Sequence, residues 1–216
     1  MHLSEGVLEW PVLASAAALS TFGVGLGMRT LSQDRLPTAA VLTAVFFVGG
    51  TVHIPIGIGS VHLVLTGLLG VLLGWAIFPV LLIGLFLQVL LLSFGGFAVL
   101  GANLLVLALP AALVGALLRP VLRSMMTVNR TSVSLRTAMG LGGVSAALSI
   151  GGSILLVALL LWWSGGEQWL SLMYVLSVAH LPALLIDAAV TALTIGTLFR
   201  AAPDLCQRLL ETPEHV

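Results

Sequence analysis

Lysine is absent from this 216-residue chain, and all eight basic residues are arginine. Cysteine occurs once, as Cys206, so no intrachain disulfide can form. Charged residues make up only 7%, against about 25% in an ordinary soluble domain. No Walker motif occurs, so the chain carries no phosphate-binding loop of the ATPase type. Neither C-x-x-C, H-E-x-x-H nor a Ser-His-Asp spacing is found, and no catalytic constellation supports an enzyme. A net charge of zero offers no electrostatic footprint for nucleic acid. Cys206 reads as an inert thiol, since reactivity needs surroundings that favour the thiolate.

The start, "MHLSEGVLEW", lacks the basic stretch of a secretory leader, and the apolar run after it continues for a full span. The expectation is that no leader is cleaved. Removal of Met generally needs a small second residue, and His is bulky. The mature chain is therefore expected to begin at Met1 with a free amine.

What the chain has is hydrophobicity, at 59% of residues. That composition predicts a polytopic membrane protein. The expected fold is an all-α bundle of about seven transmembrane helices. Crossing about 30 Å of hydrocarbon takes about 20 apolar residues. Spans are predicted near Pro11–Met28, Leu36–Val52, Leu100–Leu118, Thr137–Trp163 and Leu170–Phe199, the last interrupted by Pro182. Val61–Phe94 has the length of a helical hairpin with two short arms and Trp75 and Pro79 near the bend. The whole chain is read as a single membrane domain. Residues 1–10 form an N-terminal segment, 11–200 the bundle and 201–216 a cytoplasmic tail.

Arginine placement sets an expected orientation. Arg29 and Arg35 lie between the first two spans; Arg119, Arg123, Arg130 and Arg136 lie between the fifth and sixth; Arg200 and Arg208 follow the last. With seven spans and the N-terminus outside, all eight are cytoplasmic, as the positive-inside rule expects. Trp10, Trp162, Trp163 and Trp169 then fall near the outer boundary, where interfacial aromatics belong. Three segments lie outside: residues 1–10, Thr51–Leu63 and Ser93–Asn103. The last two are rich in Gly or Pro. Irregular backbone near membrane depth is tolerated where protein buries it or it lines a cavity, so these segments are expected to fold inward over a site.

Small residues four apart, Ala14 with Ala18 and Gly23 with Gly27, line the first span. Such spacing lets another helix approach closely, either within this bundle or on another membrane subunit. The glycines between Gly140 and Gly152 read as internal packing.

The residues able to carry chemistry are few. Met1-His2 has a specific capacity: the α-amine, the amide nitrogen of residue 2 and the His2 imidazole can close two chelate rings on one metal ion. The amide must lose its proton, which Ni²⁺ or Cu²⁺ can drive, and a fourth nitrogen would complete a square. Capture would release protons and weaken in acid. His62 is the leading fourth partner, and His53, across the same Gly-rich loop, is the alternative. Met-His at a start also arises by chance, and a His at a helix start also serves as a local hydrogen-bonding group, so the residues alone leave both readings open. His180 and Asp187, seven apart in "AHLPALLID", share a helix face and are candidates for bridging helices; polar groups inside a span are costly and often functional.

In order along the chain, "MHLSEG", "HIPIGIGSVHL", "LSFGGFAVLGAN" and "AHLPALLIDAAVT" resemble segments of the CbiM/NikM family, from Met1 to about Arg200. Its members are substrate-capture components of energy-coupling factor (ECF) transporters for cobalt and nickel. The resemblance implies a seven-helix protein of the cell inner membrane with its N-terminus outside and tucked into the core. It implies a transported Co²⁺ or Ni²⁺, bound as substrate and not as a cofactor, held by Met1, His2 and His62. Glu5, His53 and Asn103 are candidates for the shell around that site. It also implies partners: a transmembrane coupling subunit, ATPase subunits and a small accessory membrane subunit. This chain departs from the family pattern at Val7, usually aromatic; at Val106 and Leu107, usually Asn and Met; and at Asp187, where Glu is common. The competing readings are a capture component or permease for a small organic molecule, and a membrane metalloenzyme built on His53, His62, His180 and Asp187. Nitrogen ligands suit cobalt and nickel alike, and Cu²⁺ would bind a planar site more tightly still.

Overall fold

The structure, a computed structural model, describes residues 3–56, 59–128 and 135–211. Helix dominates because a bilayer supplies no water to the backbone, so each segment must satisfy its own N–H and C=O groups. The helices are α1 (Trp10–Arg29), α2 (Leu36–Gly49), α3 (Thr66–Leu73), α4 (Ile77–Leu92), α5 (Leu100–Val128), α6 (Leu135–Gly165), α7 (Leu170–Ala179), α8 (Leu181–Ala201) and α9 (Pro203–Leu210). Several hydroxyls inside them bond back to their own helix. Thr43 donates to the Ala39 carbonyl at 2.9 Å and Ser153 to the Ser149 carbonyl at 2.9 Å, so these groups cost little in an apolar setting. Stretches long and apolar enough to cross a membrane are Trp10–Arg29, Thr66–Leu92, Leu100–Met126 and Leu135–Ala201, the last containing more than one helix.

Two departures from expectation are local. Between α2 and α3 the chain forms an antiparallel pair, β1 (His53–Ile56) and β2 (Gly59–His62), with His53 opposite His62 in register. Pro55 and β-branched Ile54, Ile56 and Val61 disfavour helix here and suit a short ribbon. The tail also contains the helix α9, with Cys206, Leu209 and Leu210 buried against the bundle. Burial pushes the Cys206 thiol up to about 11, so it stays protonated.

The stretch from Thr66 to Leu92 folds back on itself. Gly74, at a φ of +58°, lies against Arg119, while Gly27 of α1 lies against Trp75 and Pro79. The bend is thus at the arginine end. At the opposite end the rings of His62 and Phe94, which precede α3 and follow α4, are 6.1 Å apart. Helix α3 alone is only about 12 Å long against about 24 Å for α4. The non-helical residues His62–Leu65 rise more per residue and make up the difference.

Packing is closest where glycines remove side chains. A Cβ at Gly70 would strike the Ala111 carbonyl, and one at Gly115 the Gly70 carbonyl, so α3 and α5 cross with backbones in contact. Gly142 and Gly143 bring α6 against α8 at Thr191, Ala192 and Ala188, and Gly152 receives Pro110. A single apolar core runs from Leu3 to Leu210. The outer surface carries exposed Phe22, Leu117, Leu155 and Leu185, the face a lipid-embedded bundle presents.

Candidate functional site

The site lies at the end of the bundle away from the arginines and is built on three non-helical segments. The first is the N-terminal segment. Leu3 is buried, and its backbone is held at both ends by Asn103 of α5. The Leu3 N–H donates to Oδ1 at 2.7 Å, and Nδ2 donates to the Leu3 carbonyl at 3.1 Å. A turn at Gly6, with φ +83°, brings Glu5 to the second segment, Ser93–Val99, where its Oε1 accepts from the Ala98 N–H at 3.1 Å. The segment ends where the Glu9 N–H donates to Ser164 Oγ at 2.6 Å. Val7 packs against the core.

The third segment carries His62. Its imidazole is buried and lies nearly parallel to the Phe94 ring, at an interplanar angle of 15°. Nδ1 is 3.0 Å from the Leu63 carbonyl. A carbonyl only accepts, so Nδ1 carries the hydrogen and the neutral ring keeps its lone pair on Nε2. Burial pushes the imidazole down to about 4, against the opposing pull of that carbonyl. His62 is therefore neutral at physiological pH, the state in which an imidazole binds a metal. His53 is exposed, 6.3 Å from His62 ring to ring, and its Nδ1 donates to the Thr51 carbonyl at 2.9 Å.

Asp187 works one layer deeper. After His62 the chain has not yet entered α3, and Leu65 sits at a φ of +56°. The N–H groups of Val64 and Leu65 therefore lack helical partners. Both donate to Asp187 Oδ2, at 3.3 and 3.1 Å. Asp187 thus joins α8 to the backbone just beyond His62. His180 bonds locally, its Nδ1 donating to the Leu176 carbonyl at 2.7 Å.

The segment Ser93–Val99 touches both other parts, His62 through Phe94 and the N-terminal segment through Ala98. Met1 and His2 lie outside the described residues. Among the described residues no three His, Cys, Asp or Glu side chains gather as a metal-holding group. Three contributions were not foreseen from sequence: the Phe94 ring on His62, Ser164 as acceptor for Glu9, and the bonds from Asp187 to Val64 and Leu65. The pattern "SFGGF" could have suggested the first; Ser164 carries no sequence signal.

The fold is a multi-pass helical bundle. Two crystal structures of transition metal transporters share it. One aligns at a TM-score of 0.70 over 95% of this chain and 93% of its own, and a truncated one at 0.68 over 92% and 96%, each 23% identical. Residues 2–205 match the family model CbiM, described as the cobalt uptake substrate-specific transmembrane region, and the chain belongs to that family. A Haemophilus influenzae protein named for metal transport is 43% identical over 208 residues, covering 96% of this chain and 98% of the relative. The cobalt transport protein CbiM of Sorangium cellulosum is 29% identical over 222 residues, covering 97% and 96%. The protein is thus a multi-pass membrane component of a metal transporter family, not an enzyme.

Proposed function

We propose that this protein captures a divalent transition metal ion, Co²⁺ or Ni²⁺, as the substrate-binding component of an energy-coupling factor importer. The ion is held by the Met1 amine, the amide and imidazole nitrogens of His2, and the His62 imidazole. The observation that carries this reading is the double hydrogen bond from Asn103 to Leu3. It holds the residue next to His2 inside the protein, at the end of the bundle where His62 is buried and neutral. An ordinary terminus would be left in water, with its backbone groups solvated. Glu5 and Asn103 act on the backbone around the ion, and His53 stands beside His62 on the exposed side. Asp187 bridges helices beneath the site, and His180 has a structural part in α7 and α8.

In this reading the chain passes the membrane seven times, with the amino terminus outside and the arginine end in the cytoplasm. Inward movement is driven by partners: a transmembrane coupling subunit, ATPase subunits and a small accessory membrane subunit. One residue inserted before Met1 tests the site directly. It moves the free amine away from His2 and opens the first chelate ring. The extended protein should lose metal binding in equilibrium dialysis with Co²⁺ or Ni²⁺ while keeping its thermal stability. Binding equal to that of the unmodified chain would overturn the chelate.

A further inference from the structure

His53 is an imidazole that the four-nitrogen site leaves unused. The ribbon sets it directly across from His62, and cross-strand partners stand on one face of a ribbon. The two ring centres are 6.3 Å apart. Two imidazoles bound to one ion at about 2 Å each have ring centres roughly 4.5–6.5 Å apart. The pair can therefore hold a single ion without refolding the ribbon. The outer ring is also held in place. Its Nδ1 donates to the Thr51 carbonyl at 2.9 Å, which puts the ligating lone pair on Nε2. Phe94 meets this ring edge-on, with centres 5.6 Å apart, while it stacks on His62 at 6.1 Å. One phenyl ring thus contacts both imidazoles. The two differ in depth: His62 is buried and His53 is exposed.

We propose that His53 and His62 together form the entry site for the metal ion, and that His53 lets go when the N-terminal chelate closes. This rests on the chelate of Met1, His2 and His62 proposed above. A hydrated divalent ion that shed its water in one step, on the way to a buried nitrogen, would carry its charge uncompensated. A ligand at the rim, reached while the ion still holds water, divides that cost. In the first step the Nε2 atoms of His53 and His62 each displace one water from the ion. In the second, the Met1 amine and the amide and imidazole nitrogens of His2 displace His53 and the remaining waters. The protons of the ammonium and the amide pass to solvent. His62 stays bound throughout. A square of four nitrogens has no room in its plane for a fifth, so His53 is a ligand of the path and not of the end state. Among the described residues no third His, Cys, Asp or Glu gathers with this pair. A two-imidazole site is accordingly weak, as suits a stage that the ion must leave.

The test is capture of radioactive Ni²⁺ by the full chain in detergent, quenched with excess chelator at successive times after mixing. The wild-type rate should level off as Ni²⁺ rises, because a filled entry site waits for closure. His53→Phe keeps a ring beside Phe94 but has no nitrogen, and His53→Asn keeps a donor for the Thr51 carbonyl. Capture by either variant should slow about tenfold or more, the scale of effect that groups supporting a metal site have. Release into chelator should slow by the same factor, since a ligand of the path lowers one barrier in both directions. Affinity and melting temperature should then equal wild type. Capture by both variants at the wild-type rate would overturn the proposal. So would slow capture by His53→Phe alone, which would leave His53 only its bond to Thr51. Weaker affinity with faster release would make His53 a ligand of the closed site and overturn the proposal as well. The chelate fails by a different result: wild-type affinity in the chain extended before Met1, whatever His53 does to the rate.

Discussion

Asn103 uses both ends of its amide on one residue, and few side chains could replace it. Leu has similar volume but neither donor nor acceptor, so Asn103→Leu leaves the Leu3 N–H and carbonyl unpaired in a buried place. Each unmade bond costs about 1–3 kcal/mol. Supporting groups around a metal are worth about 10- to 100-fold in affinity. Metal affinity measured by titration calorimetry should fall within that range, not vanish, because no proposed ligand is removed. His62 predicts a pH dependence. Its imidazole is held down to about 4, against 6.5 in a free chain. As pH falls from 7 toward 4, the unfolded chain takes up a proton that the folded protein refuses, so folding stability falls. Above about 6.5 this contribution is flat. The melting temperature of the metal-free protein should therefore drop on acidification. His62→Phe should drop less, although it cannot supply the proposed ligand. A variant with the same acid slope as wild type would contradict a buried neutral His62.

Helices were legible in the sequence where apolar runs were long and bounded by polar residues. Pro11–Met28 became α1 almost to the residue, Pro182 does mark the break between α7 and α8, and the bend near Trp75 is where the hairpin turns. The ribbon His53–His62 was not legible, because two four-residue strands with a Pro and several Gly residues carry no periodic signal. Helix α9 was hidden for another reason: eight isolated residues are too few to hold a helix. Asp187 was legible as a candidate bridge, but its partners were not, since Val64 and Leu65 are more than a hundred residues away. That role carries a prediction. Asp187→Leu removes the acceptor for two buried N–H groups, so the protein should melt well below wild type in detergent. Asp187→Asn keeps an oxygen acceptor and should lose much less. Equal losses would mean that charge, and not the two hydrogen bonds, is what α8 supplies.

For the whole molecule, the small residues of α1 divide between two tasks. Gly23 and Gly27 are buried, and side chains there would strike Phe78, Trp75 and Pro79. Their spacing therefore serves the bundle itself. Ala14 and Ala18 are exposed, and so is Ala17 between them. Ala17 lies against Gly101 of α5 and is small for that reason; Ala14 and Ala18 face outward, where a lipid-facing surface accepts Leu as readily, as Leu19 and Phe22 show. Helices in a bilayer gain little from apolarity and associate through close packing, for which Ala at a spacing of four is suited. The proposed coupling subunit is the natural occupant, because a protein without an ATPase motif must pass its movement through a partner. Ala14→Leu/Ala18→Leu should then separate capture from transport. Metal binding by the purified variant should equal wild type, since the proposed site rests on His62 and the N-terminal segment held by Asn103 and not on this face. Metal uptake by cells expressing the variant with its partners should fall at least about tenfold, the effect of about 1.4 kcal/mol on assembly. Copurification of the coupling subunit should fall with it. Uptake and copurification at wild-type levels would show that the partner docks elsewhere and that this face of α1 meets only lipid.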